Sequence, residues 1–110
     1  MIDQQIVQKA VDQLFLSAPL GSKVILFGSY ARGNVHPESD LDFLVVEPQV
    51  EDRLREMFRL RRSLEAVLGP YLVPVDLVVM SKERFERTRN TPNTLAYEAA
   101  KGGQIYERNI

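Results

Sequence analysis

The chain has 110 residues, with 14 basic and 15 acidic side chains, one histidine and no cysteine, for a formal net charge of −1. A chain of this length supplies one domain, burying roughly 60–70% of its unfolded surface, so residues 1–110 are expected to form a single unit. The near-neutral charge argues against a protein that coats nucleic acid by neutralising phosphates, and no direct nucleic-acid binding is expected. Lack of cysteine excludes disulfides, thiolate nucleophiles and thiolate zinc sites, and the solitary His36 cannot build a multi-histidine centre. Any metal here is held by oxygen. The opening MIDQQIVQKAVDQ interrupts its apolar residues with Asp, Gln and Lys. It reads as neither signal peptide nor membrane span, and a cytoplasmic location follows as the default expectation.

In chain order, Ile6, Val7, Ala10, Val11, Leu14 and Phe15 fall on one helical face between Asp3 and Ser17, with Asp3 placed as N-cap. Lys23 to Phe27 is a short apolar run of β-prone residues that ends abruptly in Gly28-Ser29, which predicts a buried strand. Asp40 to Val46 predicts a second strand, stopped by Pro48. Glu51 to Leu68 has helical periodicity and is closed by Gly69-Pro70. Its arginines, Arg53, Arg55, Arg59, Arg61 and Arg62, interleave with Glu51, Asp52, Glu56 and Glu65, which favours a solvated, ion-paired face over an RNA-binding one. Val73 to Met80 predicts a third strand with one acid, Asp76. A helix from Ser81 to about Arg87, a loop from Thr88 to Asn93, a helix from Thr94 to Lys101 and a short strand over 104–106 complete the chain.

Three features exceed what a fold alone demands. Gly28-Ser29-Tyr30-Ala31-Arg32-Gly33 follows a buried strand directly; such a turn can hold a phosphate through backbone N–H groups and the Ser29 hydroxyl, or be a plain strand-to-helix turn. In Asp40-Leu41-Asp42 the two acids lie two apart, so in a strand both carboxylates share a face, about 6–7 Å apart at Cα. Such hard oxygen donors suit Mg²⁺, although a solvent-exposed strand start would look the same. Asp76 sits among Val75, Leu77, Val78 and Val79, where an acid is costly unless paired or metal-bound. If its strand lies beside that of Asp40 and Asp42, three carboxylates meet at one sheet edge, enough for a two-metal site; a salt bridge to an arginine is the alternative.

Together, GSYARGNVHPESDLD from Gly28 to Asp42 and the later acid Asp76 resemble the signature of the DNA-polymerase-β-like nucleotidyltransferases. The match is close within their minimal group, and Ala99 to Tyr106 is similar to that group's closing helix, turn and strand. The resemblance implies an α/β (α+β) fold with a small mixed β-sheet flanked by helices. It implies that Gly28 and Ser29 hold the triphosphate of ATP, with Ser39 as a further nucleotide contact and Arg32 either reaching phosphate or anchoring the helix to the acidic edge. It also implies that Asp40 and Asp42 bind a pair of Mg²⁺ ions, and that Asp76 joins them and orients or helps deprotonate the attacking hydroxyl. The choice of ATP rests on the family alone. Tyr30 and His36 receive no role.

Members of this minimal group are commonly antitoxins that transfer AMP to a tyrosine of a HEPN-type RNase toxin. A hetero-oligomer with such a toxin is therefore the expected assembly. Two other readings stay open: neutralisation of a partner by binding alone, and modification of a small hydroxylated molecule by a homodimer.

Overall fold

The computed structural model describes residues 4–31, 33 and 40–108; Asp3, Arg32, His36 and Ser39 lie outside them, as does the side chain of Ser29. Helix α1 (Gln4–Ser17) buries Ile6, Val7, Ala10, Val11 and Leu14, the stripe expected from their spacing. Strand β1 (Lys23–Phe27) runs without a break into the single turn of α2 (Gly28–Ala31). Strand β2 (Leu41–Glu47), helix α3 (Arg53–Leu68) and strand β3 (Val75–Ser81) form one crossover unit. Helices α4 (Lys82–Thr88) and α5 (Leu95–Gly102) and strand β4 (Gln104–Glu107) follow.

The four strands are ordered β3-β2-β1-β4. Strands β2 and β3 pair in parallel, which requires a long crossover that α3 provides, whereas β1 is antiparallel to both β2 and β4. The sheet is mixed, as expected. Alternation along the strands sorts the core onto two faces. Val24, Leu26, Leu41, Phe43, Val45, Leu77 and Val79 meet the buried sides of α1 and α3. Ile25, Leu44, Val46 and Met80 meet Phe85 of α4 and Ala96 and Ala99 of α5. Each fully buried Leu or Phe stabilises this arrangement by roughly 1.5–3 kcal/mol. Gly103 lets the turn after α5 press on β1, because a Cβ there would come within 2.6 Å of Ile25 Cγ2.

Caps mark three helix starts. Asp52, Ser81 and Thr94 accept hydrogen bonds from the backbone N–H groups of Arg55, Arg84 and Tyr97 at 3.1–3.2 Å. Asp52 thus sets the start of α3 at Arg53, two residues after the Glu51 expected from periodicity. Strand β2 begins at Leu41, not Asp40. Strand β3 begins at Val75, not Val73, since the chain is still turning before Pro74. Gly69 does not close α3 as a left-handed cap: it is right-handed (φ −50°) and opens a 3₁₀ turn, Gly69–Tyr71. The left-handed residue is Leu72 (φ 52°), which is 88% exposed. The arginine face also departs from expectation. Arg59 chelates Glu56 through Nε and Nη2 at 2.6 and 2.9 Å, but Arg53, Arg55, Arg61 and Arg62 form no ion pair among the described residues. Exposed pairs of this kind are worth too little to hold long side chains in place.

Glu47, at the end of β2 and almost fully buried, has one carboxylate oxygen with no hydrogen-bond partner among the described residues. Desolvation, then a hydrogen bond to Glu56 and the repulsion of its charge, push the Glu47 carboxyl up to about 8 from an ordinary 4.5. Glu56 moves the opposite way, chiefly because Arg59 binds its carboxylate. The folded chain therefore keeps the Glu47 proton up to about pH 8, whereas the unfolded chain releases it near 4.5. Across that window raising the pH favours unfolding. Glu47→Gln should flatten this decline and gain roughly 1–3 kcal/mol above pH 8; urea unfolding at stepped pH measures it, and an unchanged slope would contradict the assignment. Leu72→Gly should gain roughly 0.5–1 kcal/mol, since glycine relieves the left-handed backbone and little packing is lost. Thermal unfolding is the readout.

Candidate active site

The crossover that makes β2 and β3 parallel also places their first residues side by side, with Leu41 opposite Val75 and Asp42 opposite Asp76. Neighbouring strands lie about 4.8 Å apart, so two acids from different parts of the chain become direct cross-strand neighbours on one face. That face is the one covered further along by α4 and α5, because Asp42 shares the parity of Leu44 and Val46, and Asp76 that of Val78 and Met80. The helices do not extend over the acids: Asp76 is exposed and Asp42 half-buried. Asp40 stands exposed just before β2, two residues from Asp42 and separated from it by the buried Leu41. Burial alternates along Asp40-Leu41-Asp42, of which only the last two belong to the strand.

The antiparallel partner supplies the third side. Phe27, the last residue of β1, pairs with Asp42, so the β1–α2 turn arrives beside the acids. Gly28 is left-handed (φ +78°), and a Cβ placed on it would overlap Asp42 Oδ2 and lie 3.1 Å from its Cγ. Glycine is thus required twice, once by its backbone angle and once by the carboxylate packed against it. The second requirement was not foreseen from sequence, where Gly28 counted as a turn residue and a triphosphate contact; its signal would have been a glycine abutting the strand that pairs with Asp42. The half-buried Tyr30, given no role, packs on the edge of the larger core.

The structure thus brings Gly28, Asp40, Asp42 and Asp76 to one end of the sheet. Arg32 and Ser39, and the side chain of Ser29, lie outside the described residues. The salt bridge considered for Asp76 is absent among the described residues, and its exposure at the strand start removes the cost that a buried acid would carry. Also among the described residues, no three Asp, Glu or His side chains are gathered closely enough to hold a metal ion by themselves. Two carboxylates suffice for Mg²⁺ when substrate phosphates and water complete its shell. The donor set of Asp40, Asp42 and Asp76, all hard oxygen at an open sheet end, fits that mode. The strongly shifted carboxyl of Glu47 lies at the opposite end of β2 and belongs to the core.

Comparison with known proteins gives the family and the fold. Residues 5–101 match the model of the nucleotidyltransferase domain family, and the chain belongs to that family. Over 68 residues it is 37% identical to a candidate protein adenylyltransferase of Methanocaldococcus jannaschii, a match spanning 62% of each chain. It is similar in fold to a toxin–antitoxin crystallised with AMP-PNP, with TM-score 0.66 and 22% identity over 98% of this chain and 76% of that one. It is likewise similar to the complex of tri-AMPylated Shewanella oneidensis HEPN toxin with MNT antitoxin, with TM-score 0.63 and 21% identity over 97% and 74% of the two chains. The fold is that of the minimal nucleotidyltransferases. Among the described residues no helix is long and apolar enough to cross a membrane.

Gly28→Ala should cost about 1–2 kcal/mol, from the positive φ and from the displaced Asp42 carboxylate together. Urea unfolding measures this, and a variant as stable as the parent would show that the β1–α2 turn can retreat from β2.

Proposed function

We propose that this chain transfers AMP from ATP to a tyrosine hydroxyl of a HEPN-type RNase toxin and thereby acts as its antitoxin. The observation that carries the reading is the register of Asp42 opposite Asp76, with Gly28 pressed against Asp42, in a chain of the nucleotidyltransferase domain family. The similarities to a candidate protein adenylyltransferase and to an AMPylated toxin bound by its antitoxin support AMP as the group and a protein as the acceptor. The AMP-PNP-bound neighbour supports a nucleoside triphosphate as donor.

In this reading Gly28 and Ser29 cradle the triphosphate, with Arg32 and Ser39 nearby. Gly28 lets the backbone come close, and any side chain there would collide with Asp42. Asp40 and Asp42 would hold Mg²⁺ with Asp76 beside them, and the ion, when bound there, would supply positive charge to neutralise the phosphates. The tyrosine oxygen bonds to the α-phosphorus as the bond to the bridging oxygen breaks. Pyrophosphate leaves with the electron pair, and Asp76 takes the hydroxyl proton. Little covalent chemistry is asked of the protein; positioning and charge neutralisation do the work. The exposure of Asp76 suits this, because a large acceptor must reach it. The reaction is placed in the cytoplasm, where ATP is at hand.

The test is the intact mass of the protein encoded beside this chain, after incubation with the chain, ATP and Mg²⁺. One or more AMP additions are expected with the parent and none with Asp42→Asn. The variant should remain folded, since removing one of several crowded acids relieves repulsion. A stable complex without any mass increase would replace transfer by neutralisation through binding alone.

A further inference from the structure

Resting on that reading, we propose that the acceptor protein docks in the groove between the C-terminal half of α3 and the free edge of β3, and that it presents there an apolar ridge flanked by carboxylates. The groove, about 290 Å³, is lined by Arg61, Leu64, Glu65, Leu68, Leu72 and Val75 among others. Its lip is Leu72, a branched side chain held in the left-handed region and 88% exposed. Folding gains nothing from this: the backbone is strained and the leucine stands in water. Beside it Tyr71 is 48% exposed, and along α3 Leu54 and Phe58, one turn apart, are 67% and 65% exposed. Arg61 lies on the same helical stripe as Leu54 and Phe58 and also lines the groove, so strip and groove form one surface. Exposed apolar side chains gathered round a groove and rimmed by charged ones mark an interaction site.

Charge decides the occupant. Helix α3 has five arginines against two glutamates. Glu56 is held by Arg59 and Glu65 lies in the groove, but Arg55, Arg61 and Arg62, exposed and in no ion pair among the described residues, leave the strip and groove with an excess of positive charge. An acidic partner surface would meet them. A second copy of this chain would not, because a two-fold contact sets the arginine row against itself. An RNA strand would find aliphatic walls inside the groove, the exposed rings of Phe58 and Tyr71 lying outside its lining, and a chain of net charge −1 offers no general surplus of cations for its phosphates.

Placement links the groove to the chemistry. Helix α3 runs back from the end of β2 to the start of β3, so its C-terminal half lies at the acid end of the sheet. Leu72 precedes Asp76 by four residues, and Leu41 N donates to Pro74 O at 3.0 Å, fixing that segment to the start of β2. Strand β3 is outermost, so only its own edge separates Val75, in the groove, from Asp76 on the opposite face. A protein seated in the groove can carry a side chain round that edge to the acids.

The experiment measures binding of the protein encoded beside this chain by titration calorimetry, and the KM for that protein and for ATP in AMP transfer. It uses the parent chain, Leu72→Gly and the double variant Arg61→Glu, Arg62→Glu. Leu72→Gly is informative because it should fold at least as well as the parent, so a loss cannot come from damage to the fold. The expected result for both variants is roughly tenfold or more weaker binding, with KM for the protein raised and KM for ATP unchanged. Parent-like binding by both variants would overturn the proposal. So would variant-sensitive binding of a single-stranded oligoribonucleotide in place of the protein. A parent chain that binds the protein without modifying it, while Leu72→Gly does not bind, keeps the docking surface and ends the transfer reading. No binding by the parent ends both.

Discussion

The register of β2 against β3 is the constraint on which the rest depends. A slip of one residue would turn Phe43 and Val45 away from α1 and α3 and drive Asp42 into the core. The apolar faces therefore forbid any alignment but those that keep Asp42 and Asp76 on the same side. Two like charges side by side are unfavourable by themselves. The side chains that hold them there, among them Leu41, Phe43, Leu77 and Val79, are fully buried and have no part in the chemistry.

From this register the distribution of labour follows. The face covered by α1 and α3 carries the larger core, while the α4–α5 face carries a smaller one that stops short of the acids. Gly28 brings β1 in from the other side, closely enough that one atom more would displace Asp42. Among the described residues the site is thus an open end of the sheet, an arrangement suited to a partner that brings its own walls. Helix α3 serves twice: its buried side fixes the crossover, and its outer side remains apolar and cationic beyond what solvation requires.

Much of this was legible in the sequence because it is local. The β1 run Lys23–Phe27, the apolar stripe of α1, the helix starts near Ser81 and Thr94 and the parity of Leu41 and Asp42 all follow from spacing and residue type. What was not legible depends on neighbours distant in sequence. Nothing near Asp76 says that β3 lies beside β2, which entered only as a condition. Nothing near Gly28 announces the carboxylate against it. Glu47 was overlooked because Pro48 suggested that the strand ended a residue earlier, although its parity with Phe43 and Val45 places it on the buried face. Gly69 drew the helix cap by its type, whereas the chain turned at Leu72, a residue that no local preference would select.

Strand β2 bears an ionisable group near each end, Asp42 at the open edge and Glu47 sealed in the core. The buried carboxyl has no solvent of its own to blur its signal. Its carbon resonance would therefore act as a built-in spectroscopic gauge, sensing shifts of a stiff, doubly paired strand from its far end. Occupancy of the open edge would be registered by a residue that no ligand there touches, without any label being added to the site.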